Sequence, residues 1–144
     1  MKFIADVMLG RLAKRLRLLG FDVLYDPLFD DNRIIQLALE QDRIILTRDT
    51  ELSSRPLATN HLFITQDHVA DQIREVVAAF RQRFVPHPLT RCSLCNVVLK
   101  PISRKKVLDL VPNYIYETHM LFFQCAACGR IYWKGTHVRR MVLA

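Results

Sequence analysis

The chain has 144 residues, 51% of them hydrophobic and 24% charged, with only 4 glycines and 6 prolines. That composition excludes a disordered or collagenous chain, and no apolar run approaches the ~20 residues a membrane-spanning helix needs. Four glycines leave no room for a P-loop or a dinucleotide-binding fingerprint. The net charge of +7 is unevenly placed. Residues 1–88 carry twelve basic and twelve acidic side chains, whereas residues 89–144 carry nine basic against only Asp109 and Glu117. A neutral first part followed by a basic last third suggests two units, the second facing a polyanion such as nucleic acid. Asp6, Arg11, Lys14, Arg15 and Arg17 interrupt the start before an apolar leader can build, so a cytoplasmic protein with no membrane partner is expected.

In chain order, residues 2–5 read as a short strand ending at Asp6. Over 8–19, Leu9, Leu12, Leu16 and Leu19 recur at helical spacing, and Gly20 follows as a C-terminal cap. Lys14, Arg15 and Arg17 are assigned to the solvated face of that helix. A second strand is expected at 22–25. A second helix opens at Asp31, read as its N-cap, with Ile34, Ile35, Leu37, Ala38 and Leu39 behind it. Further strands are expected at 43–47 and 61–65, and a long helix over 69–84. Residues 85–88, Val-Pro-His-Pro, read as a linker. Strands alternating with helices imply an α/β fold with a parallel sheet covered on both faces.

This pattern locates a first candidate site. Open α/β sheets bind ligands beyond the carboxyl ends of their strands. Asp6 ends the first strand, Asp49 lies two residues past the third, and Asp31, preceded by Asp30, follows the second. Carboxylates gathered on one edge repel unless a cation joins them. Mg²⁺ or Mn²⁺ is the natural partner for such hard oxygens, and a carboxylate-held metal can activate water against a phosphodiester. The competing reading makes Asp6 and Asp49 simple helix caps. Arg11, one turn into the first helix, and Arg48, beside Asp49, are candidate phosphate-binding groups.

The four cysteines form two matched pairs, Cys92-Ser-Leu-Cys95 and Cys125-Ala-Ala-Cys128. Two such knuckles can close one tetrahedral Zn²⁺ with four thiolates, a structural rather than catalytic arrangement. Short β-prone runs at 97–99, 120–124 and 130–133 surround them, which describes a small β-rich zinc ribbon whose folding depends on its metal. Arg104, Lys105 and Lys106 form a basic cluster. Arg130, Lys134, Arg139 and Arg140 extend it, with Tyr132 and Trp133 interleaved, a pattern suited to phosphates and unpaired bases. The alternative is that Tyr132 and Trp133 pack the ribbon core. His119 and His137 read as surface or packing residues.

The run Phe-Ile-Ala-Asp6-Val-Met-Leu-Gly-Arg-Leu-Ala, then Leu-Gly-Phe-Asp22-Val-Leu-Tyr, Asp31 before a helix, and Ile-Leu-Thr-Arg48-Asp49 resemble the PIN-like ribonuclease family of the Mut-seven carboxy-terminal type. The ending from Arg91 through both cysteine pairs to Gly-Arg-Ile-Tyr-Trp-Lys-Gly-Thr-His137 is similar to the same family. The resemblance covers nearly the whole chain. It implies a PIN-like nuclease domain at 1–86 and a basic zinc ribbon at 91–144, acting together as a Mg/Mn-dependent ribonuclease on RNA. It maps the acidic residues to Asp6, Asp31 and Asp49, with Asp30 or Glu51 as a fourth. The rival expectations are a non-catalytic RNA- or ribosome-binding module and a toxin-like ribonuclease inhibited by a protein partner.

Overall fold

The computed structural model describes residues 1–135. Residues 136–144 lie outside it, and with them the sequence-predicted Arg139 and Arg140, and His137, read as a surface or packing residue. Four parallel strands, β1 (Lys2–Ala5), β2 (Asp22–Leu24), β3 (Ile44–Thr47) and β4 (His61–Phe63), form one sheet in the order β2-β1-β3-β4. Between and after them run α1 (Gly10–Leu18), α2 (Asp31–Gln41), α3 (Thr50–Ser54) and α4 (Val69–Phe80).

The alternation along each strand explains the three layers. Phe3, Ala5, Ile44 and Leu46 point to one face and pack on Leu9, Leu12, Leu16 and Leu19 of the first helical segment and on Ile73 and Val76 of α4. Ile4 and Ile45 point to the other face and meet Ile34, Ile35, Leu37, Ala38 and Leu52 from α2 and α3. The leucine stripe read from the sequence is thus the core of one layer, with all four leucines at most 1% exposed. Fully burying each such side chain contributes roughly 1.5–3 kcal/mol.

Several boundaries differ from the expected ones. The segment expected as one helix over 8–19 opens with a 3₁₀ turn, Val7–Leu9, before α1 begins at Gly10. Asp6 caps that turn, accepting from the Met8 N–H at 2.9 Å. α2 does open at Asp31, but its N-cap is Asp30, whose Oδ1 accepts from the Arg33 N–H at 2.8 Å. Arg17, assigned to a solvated face, is only 6% exposed. The expected long helix stops at Phe80, where Arg81 turns to φ 38° and a 3₁₀ turn follows.

A second sheet follows, antiparallel, made of β5 (Lys100–Ile102), β6 (Phe122–Gln124) and β7 (Ile131–Tyr132) in that order. The run 97–99 is not a strand. Asn96 adopts a positive φ of 63°, and Cys92 N–H donates to Val97 O at 2.9 Å, so these residues complete the turn of the first cysteine knuckle. A short helix, α5 (Asn113–Thr118), joins Val107, Val111 and Phe122 in a small core against which Trp133 packs.

The segment expected as a linker is pinned. His87 and Leu89 donate their N–H groups to Leu19 O and Leu18 O at 2.7 and 3.3 Å, at the end of α1. Gly20, at φ 97°, allows this approach. A Cβ there would lie 2.3 Å from His87 O, a position only glycine can hold.

Candidate active edge and metal centre

The strand order places the topological switch between β1 and β3, since the chain leaves β1 toward β2 on one side and reaches β3 on the other. A crevice forms at such a point, beyond the carboxyl ends of the strands. Asp6 and Asp49 come from the two strands that flank it. Asp6 is 3% exposed and held firmly: Oδ2 accepts from Thr47 Oγ1 at 2.6 Å and from the Arg48 N–H at 2.8 Å, while Oδ1 accepts from Met8. A carboxylate has about four acceptor positions, so three bonds orient Asp6 and leave it one lone pair.

Asp49 is half used. Its Oδ1 caps α3 by accepting from Glu51 N–H at 2.9 Å and Leu52 N–H at 3.4 Å, and its other oxygen makes no hydrogen bond among the described residues. Asp31, in the first turn of α2, makes no side-chain hydrogen bond among those residues. Partial burial raises its carboxyl above the usual range. The negative charges of Asp49, Glu51 and Asp6 push the same way, and Arg55 opposes them. Asp31, Asp49, Glu51 and Asp6 therefore feel one another across the crevice. They do not form a closed cluster: among the described residues, the four cysteines are the one group of potential ligands whose atoms all lie within 4.8 Å of one another. Of the two further acidic candidates, Asp30 is committed to capping α2, whereas Glu51 is exposed beside Asp49.

Arg48 points along the same edge and pairs with Asp67 at 2.7 Å. Asp67 follows β4 and was missed in the sequence, although the carboxyl-end rule applied to the fourth strand points to that loop. Arg11 lines a cleft of about 440 Å³ between the starts of α1 and α4, together with Asp67 and His68. Asp67 thus pairs with Arg48 and lines the cleft that Arg11 also lines, and the Arg48–Asp67 pair is exposed enough to exchange partners at little cost.

The second site is in the ribbon. Cys92, Cys95, Cys125 and Cys128 are free thiols whose sulfurs gather within 4.8 Å, with Cys92 and Cys128 3.8 Å apart. Tetrahedral Zn²⁺ with Zn–S bonds of roughly 2.3 Å requires sulfurs about 3.8 Å apart, so the four sulfurs match a zinc-like ion in number, softness and spacing. Tyr132 orients the first knuckle: its hydroxyl lies 3.1 Å from Cys92 Sγ and accepts from the Ser93 N–H at 3.1 Å. Burial works against ionisation of Cys92, but the Tyr132 hydroxyl and the N–H groups of Cys95 and Leu94 outweigh it and draw the thiol down to about 7. Cys95 is pushed up to about 12, first by its hydrogen bond with the Cys128 thiol and then by burial.

The basic residues of the ribbon divide into two kinds. Lys105, Lys106, Arg130 and Lys134 are exposed. Arg104 is instead spent inside the ribbon, donating to Tyr116 O at 2.6 Å and lying 3.9 Å over the Tyr116 ring. Trp133, half-buried against the small core, borders an open hollow of about 400 Å³ with Arg130 and Tyr132. His119 serves packing, one ring nitrogen lying 3.1 Å from Lys134 O.

A doubly wound α/β layer with an acidic crevice, joined to a tetracysteine ribbon, defines a two-part protein with one oxygen-rich and one sulfur-rich site. The whole chain, residues 1–144, matches the Mut7-C RNAse domain, and the protein belongs to that family. Neither the curated proteins nor the solved structures gave a match. Family membership indicates a ribonuclease-related role, and thus RNA as the partner. No helix among the described residues is long and apolar enough to cross a membrane.

Proposed function

We propose that the protein is a Mg²⁺- or Mn²⁺-dependent, PIN-like ribonuclease of the cytoplasm, with a catalytic domain at 1–86 and an RNA-binding zinc ribbon at 91–144. The observation that carries the reading is the state of Asp31: a carboxylate with no hydrogen bond among the described residues, raised by partial burial and then by Asp49, Glu51 and Asp6, at the crevice of a chain in a ribonuclease family. Charges held together at a cost to the fold mark a site built for a ligand of opposite sign.

In this reading Asp6, Asp31 and Asp49 hold the divalent ion, with Glu51 rather than Asp30 as the additional acid. The donor chemistry fits, because Asp31 and Asp49 offer uncommitted hard oxygens and Asp6 a fixed one. Such an ion, when bound, would activate a water molecule for attack and polarise the phosphodiester. The chain's own residues do the rest. Thr47 and the Arg48 N–H fix the orientation of Asp6. Arg11 and Arg48 bind the phosphate, Arg48 exchanging Asp67 for it. Lys105, Lys106, Arg130 and Lys134 hold the RNA backbone, with Trp133 beside them for an unpaired base; Arg139 and Arg140, outside the described residues, add two cations to the same basic stretch of sequence. Arg104 contributes by keeping α5 in place.

Cleavage of single-stranded RNA, with and without Mg²⁺ or Mn²⁺, tests the reading. Asp31→Asn is expected to abolish cleavage while leaving RNA binding unchanged, since it removes only the charge that holds the ion. If the parent cleaves no RNA with either ion, and Asp31→Asn binds Mn²⁺ as the parent does, the protein is a non-catalytic RNA-binding module. The helix-capping bonds of Asp6 and Asp49 are the observation that favours this second reading.

A further inference from the structure

The ribbon meets the α/β layer through an unusual cation. Arg17 lies in the last turn of α1 and is 6% exposed. Its Nε donates to Val23 O at 2.9 Å, and its Nη1 donates to Ser93 O and Leu94 O, both at 3.1 Å. Among the described residues it forms no salt bridge. The nearest carboxylate, Asp22, is taken by Arg43 at 2.7 Å and by Asn96 at 2.8 Å. A guanidinium removed from water with no anion in contact is costly unless a counter-charge stands close by.

The two carbonyls it touches belong to the peptide groups between Cys92 and Cys95. The N–H end of the second of these groups, Cys95 N–H, donates to Cys92 Sγ at 3.4 Å, and the N–H end of the first, Leu94 N–H, favours the ionised form of the same sulfur. The Leu94–Cys95 peptide unit therefore has its oxygen on Arg17 and its hydrogen on a candidate ligand sulfur, and the Ser93–Leu94 unit beside it also has its oxygen on Arg17. Hydrogen bonds chained in this way polarise one another. Four thiolates and one Zn²⁺ carry a net charge of −2, which is the missing counter-charge.

We propose that Arg17 of the α/β layer is the counter-cation of the tetracysteine metal centre, so that holding the metal and docking the ribbon on the sheet are one coupled event. The proposal rests on the reading of the four cysteines as a zinc site and extends it to a residue 75 positions before the first ligand in the sequence. By reciprocity, whatever loosens the docking weakens the metal, and removing the metal loosens the docking.

Zinc affinity of the full chain, measured by competition with a chromophoric chelator, tests this. Arg17→Met is expected to weaken Zn²⁺ binding by roughly 10–100-fold, the usual effect of losing a partner behind a metal ligand. Arg17→Lys keeps the charge but not the fork and should recover part of the loss. Lys14→Met, the same charge change on an exposed position of the same helix, should leave affinity unchanged. With Co²⁺ in place of zinc, Arg17→Met should also shift the thiolate-to-metal absorption band, which a purely structural residue would not move. Equal zinc affinity for Arg17→Met and the parent overturns the proposal and leaves the zinc reading intact. A parent that binds no zinc overturns both. If Arg17→Met does not fold, hydrogen exchange on the parent decides. The Val23 N–H, bonded to Asn96 Oδ1 at 3.1 Å, should exchange faster once zinc is chelated, whereas the Ile45 N–H, bonded to Asn60 O, should not. Unchanged Val23 exchange without zinc rules the coupling out.

Discussion

The two ends of the parallel sheet treat charge in opposite ways. At the amino end, Arg43 is 6% exposed; it donates to Asp22 Oδ1 at 2.7 Å and to Phe3 O at 3.0 Å, and the same Asp22 oxygen accepts from the Asn96 amide at 2.8 Å. The buried charge there has its partner. At the carboxyl end, Asp31 has no hydrogen bond among the described residues and sits among like charges, and Asp49 keeps one oxygen unused. One end is arranged for the fold and the other is held against it. Since a domain is stable by only ~5–15 kcal/mol, the settled end helps to make the unsettled one tolerable.

The largest expected effect on this contrast comes from removing the metal. Small zinc-bound units gain roughly 10–16 kcal/mol of apparent folding free energy from the ion. Chelation should therefore collapse the signals of residues 91–135 in an NMR spectrum while the four-stranded sheet persists. Loss of both sets together would show that the amino end cannot stand without the ribbon, and the comparison would have to be drawn between different regions.

Breaking the amino end at one residue should cost less. Asp22→Asn keeps a polar group for Asn96 but leaves Arg43 buried without its anion. A partly exposed pair of this kind should lower stability by about 2 kcal/mol in denaturant titration, below the cost of a fully buried one. The pH dependence follows from the same pair. Burial disfavours the Asp22 charge, but the hydrogen bonds and charges of Arg43 and Asn96 outweigh it and hold the carboxyl below its ordinary value. Its contribution is thus present above about pH 3.9, the unfolded value, and disappears as pH falls through the lowered folded one. The parent should lose its advantage over Asp22→Asn in that acid range, and a constant difference down to pH 2 would contradict the assignment.

The smallest effect belongs to the carboxyl end and has the opposite sign. Asp31 is raised in the folded state, so its ionised form disfavours folding. The relative stabilisation it gives is complete only below about pH 3.9 and is lost as pH rises through the raised folded value. Asp31→Asn should therefore be slightly more stable than the parent at pH 7, by under about 0.5 kcal/mol for a group this open to water. The gain should vanish in acid. A variant less stable than the parent at pH 7 would mean that Asp31 serves the fold after all.

Much of this was readable from the residues alone, for local reasons. The spacing of Leu9, Leu12, Leu16 and Leu19 marks a buried stripe wherever the helix is placed, and paired cysteines mark a metal centre whatever lies between them. The carboxyl-end rule needed only the strand pattern to put Asp6, Asp31 and Asp49 on one edge, although they do not close into a ligand cluster among the described residues. What escaped was set by partners far along the chain. Arg17 looks like a surface residue because the carbonyls that bury it are those of Ser93 and Leu94, 76 and 77 positions away. The apolar run 97–99 looks like a strand, but the metal knuckle uses it to close a turn. The strand begins three residues later, where Pro101 is tolerable because β5 is an edge. Arg104 looks like a phosphate contact until the ring of Tyr116 is placed under it.

The position of Asn96 carries one more consequence. β2 is an outer strand, and its outward-facing Val23 N–H is covered by the Asn96 side chain from the first cysteine knuckle. An uncovered outer strand is a template on which another molecule can lay its own backbone. A cell short of zinc would therefore hold a protein that has lost the cover on its own sheet, together with the nucleic-acid contact proposed for the ribbon. Metal-depleted protein should self-associate at concentrations where the loaded form stays dispersed, as light scattering would show, and replenishing the ion early should reverse it. In that sense the ribbon is a guard on solubility, apart from the RNA contact proposed for it.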